Sequence, residues 1–163
     1  MSKREKCAEN ILSDLISGID IKPFGPIRKG NKITALATPF GSKRRIHGCT
    51  KNLMVVSYEW EAGGIMPTHE HELEQISYIV SGKVKVTIGN ETFIAEKGDS
   101  YTEPKGVLHS VEALEPSVTI EAFAPPRPLF LILEAAAYHD VHGAWNDLKK
   151  GIEASKREKK KQK

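Results

Sequence analysis

Short runs of apolar and β-branched residues, separated by turn residues, fill the middle of the chain. The run Lys83–Ile88 alternates polar and apolar side chains with a period of two, which is typical of a strand with one buried face. Gly89 and Asn90 follow it as a hairpin turn that leads into a second strand, Glu91–Ala95. The pattern predicts further strands at Leu53–Trp60, Ile76–Val80, Val107–Val111 and Val118–Phe123. Short strands at roughly ten-residue spacing predict a sandwich or a small barrel.

Helical patterns lie near both ends of the chain. Apolar residues within 5–18 recur at helical spacing, and Gly18 is a suitable C-terminal stop. Prolines and glycines within 23–31 then predict a linker. After Pro128 the composition becomes helical again. We therefore expect an N-terminal helix and linker over 1–32, a β-barrel domain over 33–128, and a helical C-terminal extension with a basic tail over 129–163.

The positive charge of the chain is concentrated at its C-terminal end. The 163 residues carry 24 Lys and Arg and 21 Asp and Glu, a net charge of +3. Residues 149–163 hold eight basic and two acidic side chains, so the remainder of the chain is mildly acidic, at −3. A basic run attracts phosphate non-specifically, but this one contains no aromatic residue on which bases could stack. We therefore do not expect a nucleic-acid partner.

The sequence also bears on compartment and redox state. Its longest apolar run, Leu129–Leu133, is far shorter than a membrane span, so we expect no membrane partner. The charged residues after Met1 lack the apolar segment of a secretory signal, which favours a cytoplasmic protein. Cys7 and Cys49 have no spacing typical of a disulfide framework, and we expect both to be reduced.

Three histidines and a glutamine form the strongest candidate site. His69 and His71 are two positions apart, and alternate residues of a strand point to the same face, so both imidazoles can reach one ion. Gln75 follows four residues later, and His109 arrives after two predicted hairpins. Three imidazole nitrogens and one amide oxygen would hold one divalent metal ion and leave positions open for substrate or water. The alternative is that these histidines are core or surface residues without a metal.

The spacing of these residues resembles the two signature motifs of the cupin superfamily. The motifs here are Gly63, five residues, His69-Glu70-His71, three residues, Gln75, six residues, Gly82, and then Gly98, five residues, Pro104, one residue, Gly106, two residues, His109. The resemblance covers about residues 50–126. It implies an all-β fold, a double-stranded β-helix or jelly-roll barrel with the metal inside one mouth, to which this chain adds N-terminal and C-terminal helices. It also implies a homodimer.

Gln75 stands where that superfamily usually has a glutamate. Three neutral imidazoles and a neutral amide would cancel none of the charge of the ion, which favours stronger Lewis acidity and an anionic substrate. Zn, Ni, Mn or Fe would suit such a site. Glu74 could replace Gln75 if the strand shifted by one residue, but side-chain alternation opposes this because Glu74 points outward when Gln75 points inward.

Glu121 and Arg127 are candidates for action on a substrate. If Glu121 points into the barrel, it is a buried carboxylate near a cation and a candidate general base. If it points outward, it is solvated and has no role in catalysis. Arg127, which follows two prolines, could bind a substrate carboxylate in a bidentate manner or form a surface ion pair. The residue pattern leaves both pairs of alternatives open.

A narrower resemblance suggests a reaction. The segment His69–Tyr78, with Glu121-Ala122-Phe123 and Pro126-Arg127 downstream, resembles small single-domain cupins of the pectin-degradation type. Those proteins hold a metal with three His and one Gln, and they convert unsaturated uronic acids to linear keto forms. The resemblance implies that Glu121 is the acidic catalytic residue and that Phe123 is a substrate-side aromatic. Glu121 is one methylene longer than the aspartate of that family.

The sequence therefore leaves three main kinds of function open, with salt-dependent nucleic-acid binding by the basic tail over 149–163 as a minor fourth. The first is a metal-dependent isomerase, tautomerase or lyase that acts on a small anionic substrate such as a sugar acid. The second is a metal-dependent dioxygenase, which would use the same ligands with a redox-active metal. The third is a non-catalytic module that binds a small molecule or a metal.

Overall fold

The computed structural model describes residues 27–134. Within them lie a short 3₁₀ helix, Gly30–Lys32, and ten strands. The strands are β1 Leu36–Thr38, β2 Ser42–Cys49, β3 Met54–Trp60, β4 Ile65–His69, β5 Glu74–Ser81, β6 Lys83–Ile88, β7 Glu91–Glu96, β8 Ser100–Glu103, β9 His109–Ala113 and β10 Ser117–Ala124. A helical segment begins at residue 128 and continues to residue 134. The predicted helix over 5–18 and most of the C-terminal extension lie outside the described residues, and the predicted domain boundaries stay predictions.

The strands form two antiparallel sheets. One has six strands in the order β1-β2-β3-β10-β5-β8, and the other has four in the order β4-β9-β6-β7. Ile79 and Tyr101 of the larger sheet pack in one cluster with Val84, Val86 and Val111 of the smaller sheet. The two sheets therefore face each other across a common core, which confirms the all-β jelly-roll barrel. Within residues 27–134, no helix is long and apolar enough to cross a membrane.

Alternation along the strands separates an apolar end of the interior from a polar end. On β5 the inward residues are Gln75, Ser77 and Ile79, each of which is buried. Ile79 belongs to the apolar core, whereas Gln75 and Ser77 lie nearer the start of the strand. β10 also directs a polar side chain inward at this end, since the buried Glu121 is the cross-strand partner of Ser77. One end of the barrel interior is therefore lined with hydrogen-bonding groups, and the candidate site lies there.

The sequence pattern located six of the ten strands. The predicted hairpin of Lys83–Ile88 with Glu91–Ala95 is present as β6 and β7, with Gly89 in the turn at a φ of 57°. The pattern did not reveal β1, β2, β4 or β8. β2 was missed because Lys43, Arg44 and Arg45 give it no apolar signal, although Arg44 points inward and is buried.

Candidate metal centre

Three imidazole rings converge at the polar end of the barrel. His69 ends β4 and His109 begins β9, and the two are cross-strand partners. The His109 ring centroid lies 4.3 Å from that of His69 and 4.7 Å from that of His71. One nitrogen from each of the three rings lies within 4.8 Å of the others. This convergence is what a mononuclear metal site requires.

His71 reaches this group from a turn rather than from a strand. β4 ends at His69, so the prediction that both histidines share one extended strand is wrong in this detail. The pairing of β4 with β9 is irregular between Met66 and His69, and the chain turns after that irregularity. The backbone N–H of Gly106 donates to the His71 carbonyl at 2.9 Å and holds the turn against the second motif. His69 and His71 therefore approach each other because the chain turns after β4, and not because they share one face of a strand.

Backbone carbonyls fix the protonation of all three rings. Nδ1 of His69 lies 2.9 Å from Pro67 O, Nδ1 of His71 lies 2.9 Å from Leu73 O, and Nδ1 of His109 lies 2.8 Å from Val107 O. A carbonyl only accepts, so each Nδ1 carries a proton, and in the neutral ring each Nε2 then presents a lone pair. Burial lowers the pKa of His69, and it lowers the pKa of His109 to about 4. At neutral pH both of these rings are therefore uncharged, as metal ligands must be.

Gln75 directs its amide oxygen at the histidines. Its Nε2 donates to Ser77 Oγ at 3.2 Å and to Glu121 Oε2 at 3.1 Å, which fixes the orientation of the amide. Its Oε1 then lies 2.9 Å from His71 Nε2. Glu74, the alternative ligand, is exposed, whereas Gln75 is buried.

The short distance between His71 Nε2 and Gln75 Oε1 bears on whether the site fits a cation. In the neutral ring with its proton on Nδ1, His71 Nε2 and the Gln75 oxygen are two lone-pair donors at 2.9 Å. Two such atoms repel each other unless a proton or a cation lies between them. His109 Nε2 is likewise buried and has no hydrogen-bond partner. Both observations fit a metal ion bound to His69, His71, Gln75 and His109.

Two buried carboxylates lie beneath these groups. Glu121 points into the barrel from β10, and Thr119 Oγ1 donates to its Oε1 at 3.2 Å. Glu103 points inward from β8 and is 1% exposed. Burial raises the pKa of both carboxyls, and the proximity of Glu103 raises that of Glu121 further. The sequence left the direction of the Glu121 side chain open, and the structure shows that it points inward. Its catalytic role stays a prediction.

Phe123 and Arg127 lie on the same side of the site. The Phe123 ring is fully buried, with its centroid 6.5 Å from that of His71. The Arg127 guanidinium lies 5.4 Å from the centroid of the Phe123 ring, within reach of a cation–π interaction. Burial lowers the pKa of Arg127. The guanidinium therefore belongs to the site rather than to the surface.

Sequence reasoning missed two charged residues of this region. Glu103 directly precedes Pro104 of the second motif, and the alternation of exposed Thr102 with buried Glu103 shows its inward direction only once β8 is known. Arg44 is buried on β2 and hydrogen-bonds to Tyr58. The buried polar region thus contains carboxylates as well as guanidinium groups, which are ordinarily buried only when paired.

The enclosed space at the site is small. A cavity of about 10 Å³ is bounded by His69, Gln75, Glu103, Glu121 and Arg127, among others. That volume accommodates a single ion or water molecule. A sugar-sized ligand would therefore have to bind at the mouth, outside the cavity, unless side chains moved.

Comparisons with known proteins agree with this architecture. The family model described as "Cupin domain" matches residues 56–123. The pectin degradation protein KdgF of Dickeya dadantii is 38% identical over 93 residues, which cover 56% of this chain and 84% of that protein. A solved KdgF structure from Halomonas sp. aligns with a TM-score of 0.61 at 30% identity, over 64% of this chain and 96% of that one. An RmlC-like cupin from Shewanella frigidimarina aligns with a TM-score of 0.65 at 25% identity, over 68% and 99% of the two chains.

Proposed function

The chain belongs to the cupin superfamily, and on that basis we propose that it is a metal-dependent enzyme acting on a small sugar acid. The reaction would be an isomerisation, tautomerisation or lyase step. The similarity to the pectin degradation protein KdgF supports an unsaturated uronate as the substrate class. The residues that line the barrel mouth support a polar reaction on an anion.

One observation carries the proposal. His71 Nε2 and Gln75 Oε1 face each other at 2.9 Å, as two lone-pair donors when the ring is neutral, beside the buried Nε2 of His109. A cation resolves this repulsion and also uses the unpaired nitrogen. A bound divalent ion would act as a Lewis acid that polarises a carbonyl or hydroxyl oxygen of the substrate.

Side chains of this protein would supply the remaining chemistry. A sugar acid carries a carboxylate, and the Arg127 guanidinium is the group of the site suited to a bidentate contact with it. Phe123 packs beneath that guanidinium and would limit its movement. Glu121 would accept or return a proton at its carboxylate, since its raised pKa brings it close to neutral pH. Its hydrogen bond from Gln75 couples that carboxylate to the metal ligand.

Elemental analysis tests the metal site. Protein purified without added metal should contain about one equivalent of Zn, Ni, Mn or Fe, and the His69→Ala/His109→Ala double variant should contain none. The absence of metal from wild type, even after incubation with each ion, would contradict the proposal.

Turnover tests the substrate class. The metal-loaded protein should consume a 4,5-unsaturated uronate, followed by the loss of the ultraviolet absorbance of its conjugated double bond. Glu121→Gln should lose most of this activity while it retains the metal. Oxygen uptake by an Fe-loaded or Cu-loaded protein would instead indicate a dioxygenase, and tight binding without turnover would indicate a binding module.

The predicted homodimer and cytoplasmic location stay predictions. Sedimentation equilibrium of the full chain would measure the first, and a dimer is the expected result. The small-molecule partner is the sugar acid proposed above.

A further inference from the structure

A second acidic side chain faces the candidate metal. Glu103 is the cross-strand partner of Gln75 in the pairing of β5 with β8, and both side chains point into the barrel. Glu103 Oε1 lies 3.9 Å from His109 Nε2, and both side chains are 1% exposed. Glu103 also borders the small cavity that His69 and Gln75 line. A buried carboxylate oxygen therefore lies next to a buried imidazole lone pair.

The two oxygens of Glu103 have different surroundings. Ser77 Oγ donates to Oε2 at 2.8 Å, and the same Ser77 oxygen accepts from Gln75 Nε2 at 3.2 Å. Ser77 therefore fixes the carboxylate so that Oε1 is directed at His109. The His109 ring cannot donate a hydrogen bond to Glu103 Oε1, because the ring proton is on Nδ1, which donates to Val107 O at 2.8 Å.

We propose that Glu103 is an additional protein ligand of the metal ion, through Oε1. This inference rests on the proposed metal site. Two atoms bound to one ion at about 2.1 Å lie roughly 3 to 4 Å apart, so a separation of 3.9 Å places Oε1 and His109 Nε2 within reach of the same ion. A cation there would replace a contact between two electron-rich buried atoms with two favourable contacts.

Glu121 is not equivalent to Glu103 in this respect. Both oxygens of Glu121 already accept hydrogen bonds, Oε2 from Gln75 Nε2 at 3.1 Å and Oε1 from Thr119 Oγ1 at 3.2 Å. Its contact with the metal site is therefore through the amide nitrogen of Gln75. Of the two carboxylates, Glu103 is the one with an oxygen directed at an imidazole ligand.

A carboxylate ligand changes the expected chemistry of the site. Three imidazoles and an amide carry no charge, whereas the addition of Glu103 gives the ligand set one negative charge. Carboxylate oxygen favours harder ions such as Mn²⁺, while imidazole nitrogen suits Zn²⁺ and Ni²⁺. The inference therefore predicts that Glu103 contributes more to the affinity for Mn²⁺ than to the affinity for Zn²⁺.

Calorimetric titration of the metal-free full chain with MnCl₂ and with ZnCl₂ tests this inference. Glu103→Gln should weaken Mn²⁺ binding at least about tenfold, with a smaller loss for Zn²⁺. Glu112→Gln is the matched control, because Glu112 is a partly exposed acid of β9 that pairs with Lys85 outside the site. It should bind both ions as wild type does. The electron paramagnetic resonance spectrum of bound Mn²⁺ should change in Glu103→Gln and not in Glu112→Gln.

The outcomes separate this inference from the proposed function. If wild type binds neither ion, this inference fails, and the metal site itself fails only if Ni²⁺ and Fe²⁺ do not bind either. If wild type, Glu103→Gln and Glu112→Gln bind Mn²⁺ with equal affinity and equal spectra, Glu103 is not a ligand although the metal site stands. Should Glu103→Gln not fold, Glu103→Asp keeps the charge and shortens the reach by one methylene. Weakened Mn²⁺ binding with an altered spectrum in that variant would support the inference, and unchanged binding would overturn it.

Discussion

Glu121 links pH to the stability of the metal-free protein. Burial and the neighbouring Glu103 raise its pKa from 4.5 to about 8 in the folded state. Between these two values the folded protein retains a proton that the unfolded chain has released, so the free energy of unfolding falls as the pH rises. His47, His69 and His109, whose folded-state pKa values are lowered, act in the opposite direction, but each by at most about 0.4 kcal/mol above pH 6.5. We therefore expect a net fall on the order of 1 kcal/mol between about pH 6.5 and 8.5. Urea unfolding of metal-free protein at the two pH values measures it.

The control for this prediction is Glu121→Gln, which is uncharged at every pH. Its unfolding free energy should depend less steeply on pH than that of wild type over the same interval. Identical slopes for the two proteins would mean that Glu121 ionises normally in the fold.

Arg127 offers a second prediction at the scale of one residue. Its guanidinium lies over the Phe123 ring at the site, where it is expected to bind the carboxylate of a sugar acid. A charge-assisted hydrogen bond contributes about 1.5 to 3 kcal/mol, so Arg127→Ala should raise KM at least about tenfold and change kcat less. Steady-state kinetics on an unsaturated uronate measure both quantities.

The control is Lys105→Ala, which removes an exposed cation that pairs with Glu72. An exposed pair of this kind contributes little, so the kinetics should stay close to wild type. Equal effects of the two substitutions would argue for a general electrostatic attraction rather than a specific contact by Arg127.

At the scale of the element, Gly82 is required by the turn between β5 and β6. Its φ of 84° lies in the left-handed region, and a Cβ there would meet Ser117 Oγ and lie 2.6 Å from Pro116 O. Gly82→Ala should therefore destabilise the protein by about 3 kcal/mol or more. Gly98 also has a positive φ, 98°, but a Cβ there would meet nothing within 4 Å. Gly98→Ala should lose only about 1 kcal/mol, and chemical denaturation of both variants distinguishes steric overlap from backbone strain.

The elements also show what a sequence pattern can predict. β6 alternates cleanly because Val84 and Val86 are buried while Lys85 is exposed, so its period of two is visible in the sequence. β2 has the same alternation of burial, yet its inward residues include Ser42 and Arg44, which an apolar pattern cannot reveal. β8, which was also missed, likewise directs Glu103 inward. An apolar pattern therefore fails for strands whose inward positions hold charged side chains.

The residues of the candidate site also fall into those that the sequence could identify and those that it could not. The motif spacing identified the three histidines and Gln75. His69, His71 and Gln75 lie close together in the first motif, and His109 ends the second. The spacing did not identify Glu103, whose proximity to His109 depends on the pairing of β8 with β5 and of β9 with β4. Such long-range register is a tertiary property. A single sequence carries little local signal for it.

At the scale of the whole molecule, metal binding should be coupled to folding. The ligands lie on β4, β5, β9 and an adjoining turn, so they come together only in the folded barrel. An ion that binds only the folded state stabilises it by about 4 kcal/mol at a thousandfold excess over Kd, which corresponds to a rise in Tm of roughly 10 °C. Differential scanning calorimetry of metal-free protein, with each of Zn²⁺, Ni²⁺, Mn²⁺ and Fe²⁺ added in turn, measures this rise. The His69→Ala/His109→Ala double variant should show no dependence on the ion, because it retains too few nitrogen ligands. A wild-type Tm that none of the four ions changes would contradict metal binding by the folded barrel. A Tm that rises equally in the double variant would mean that the ion binds outside this site.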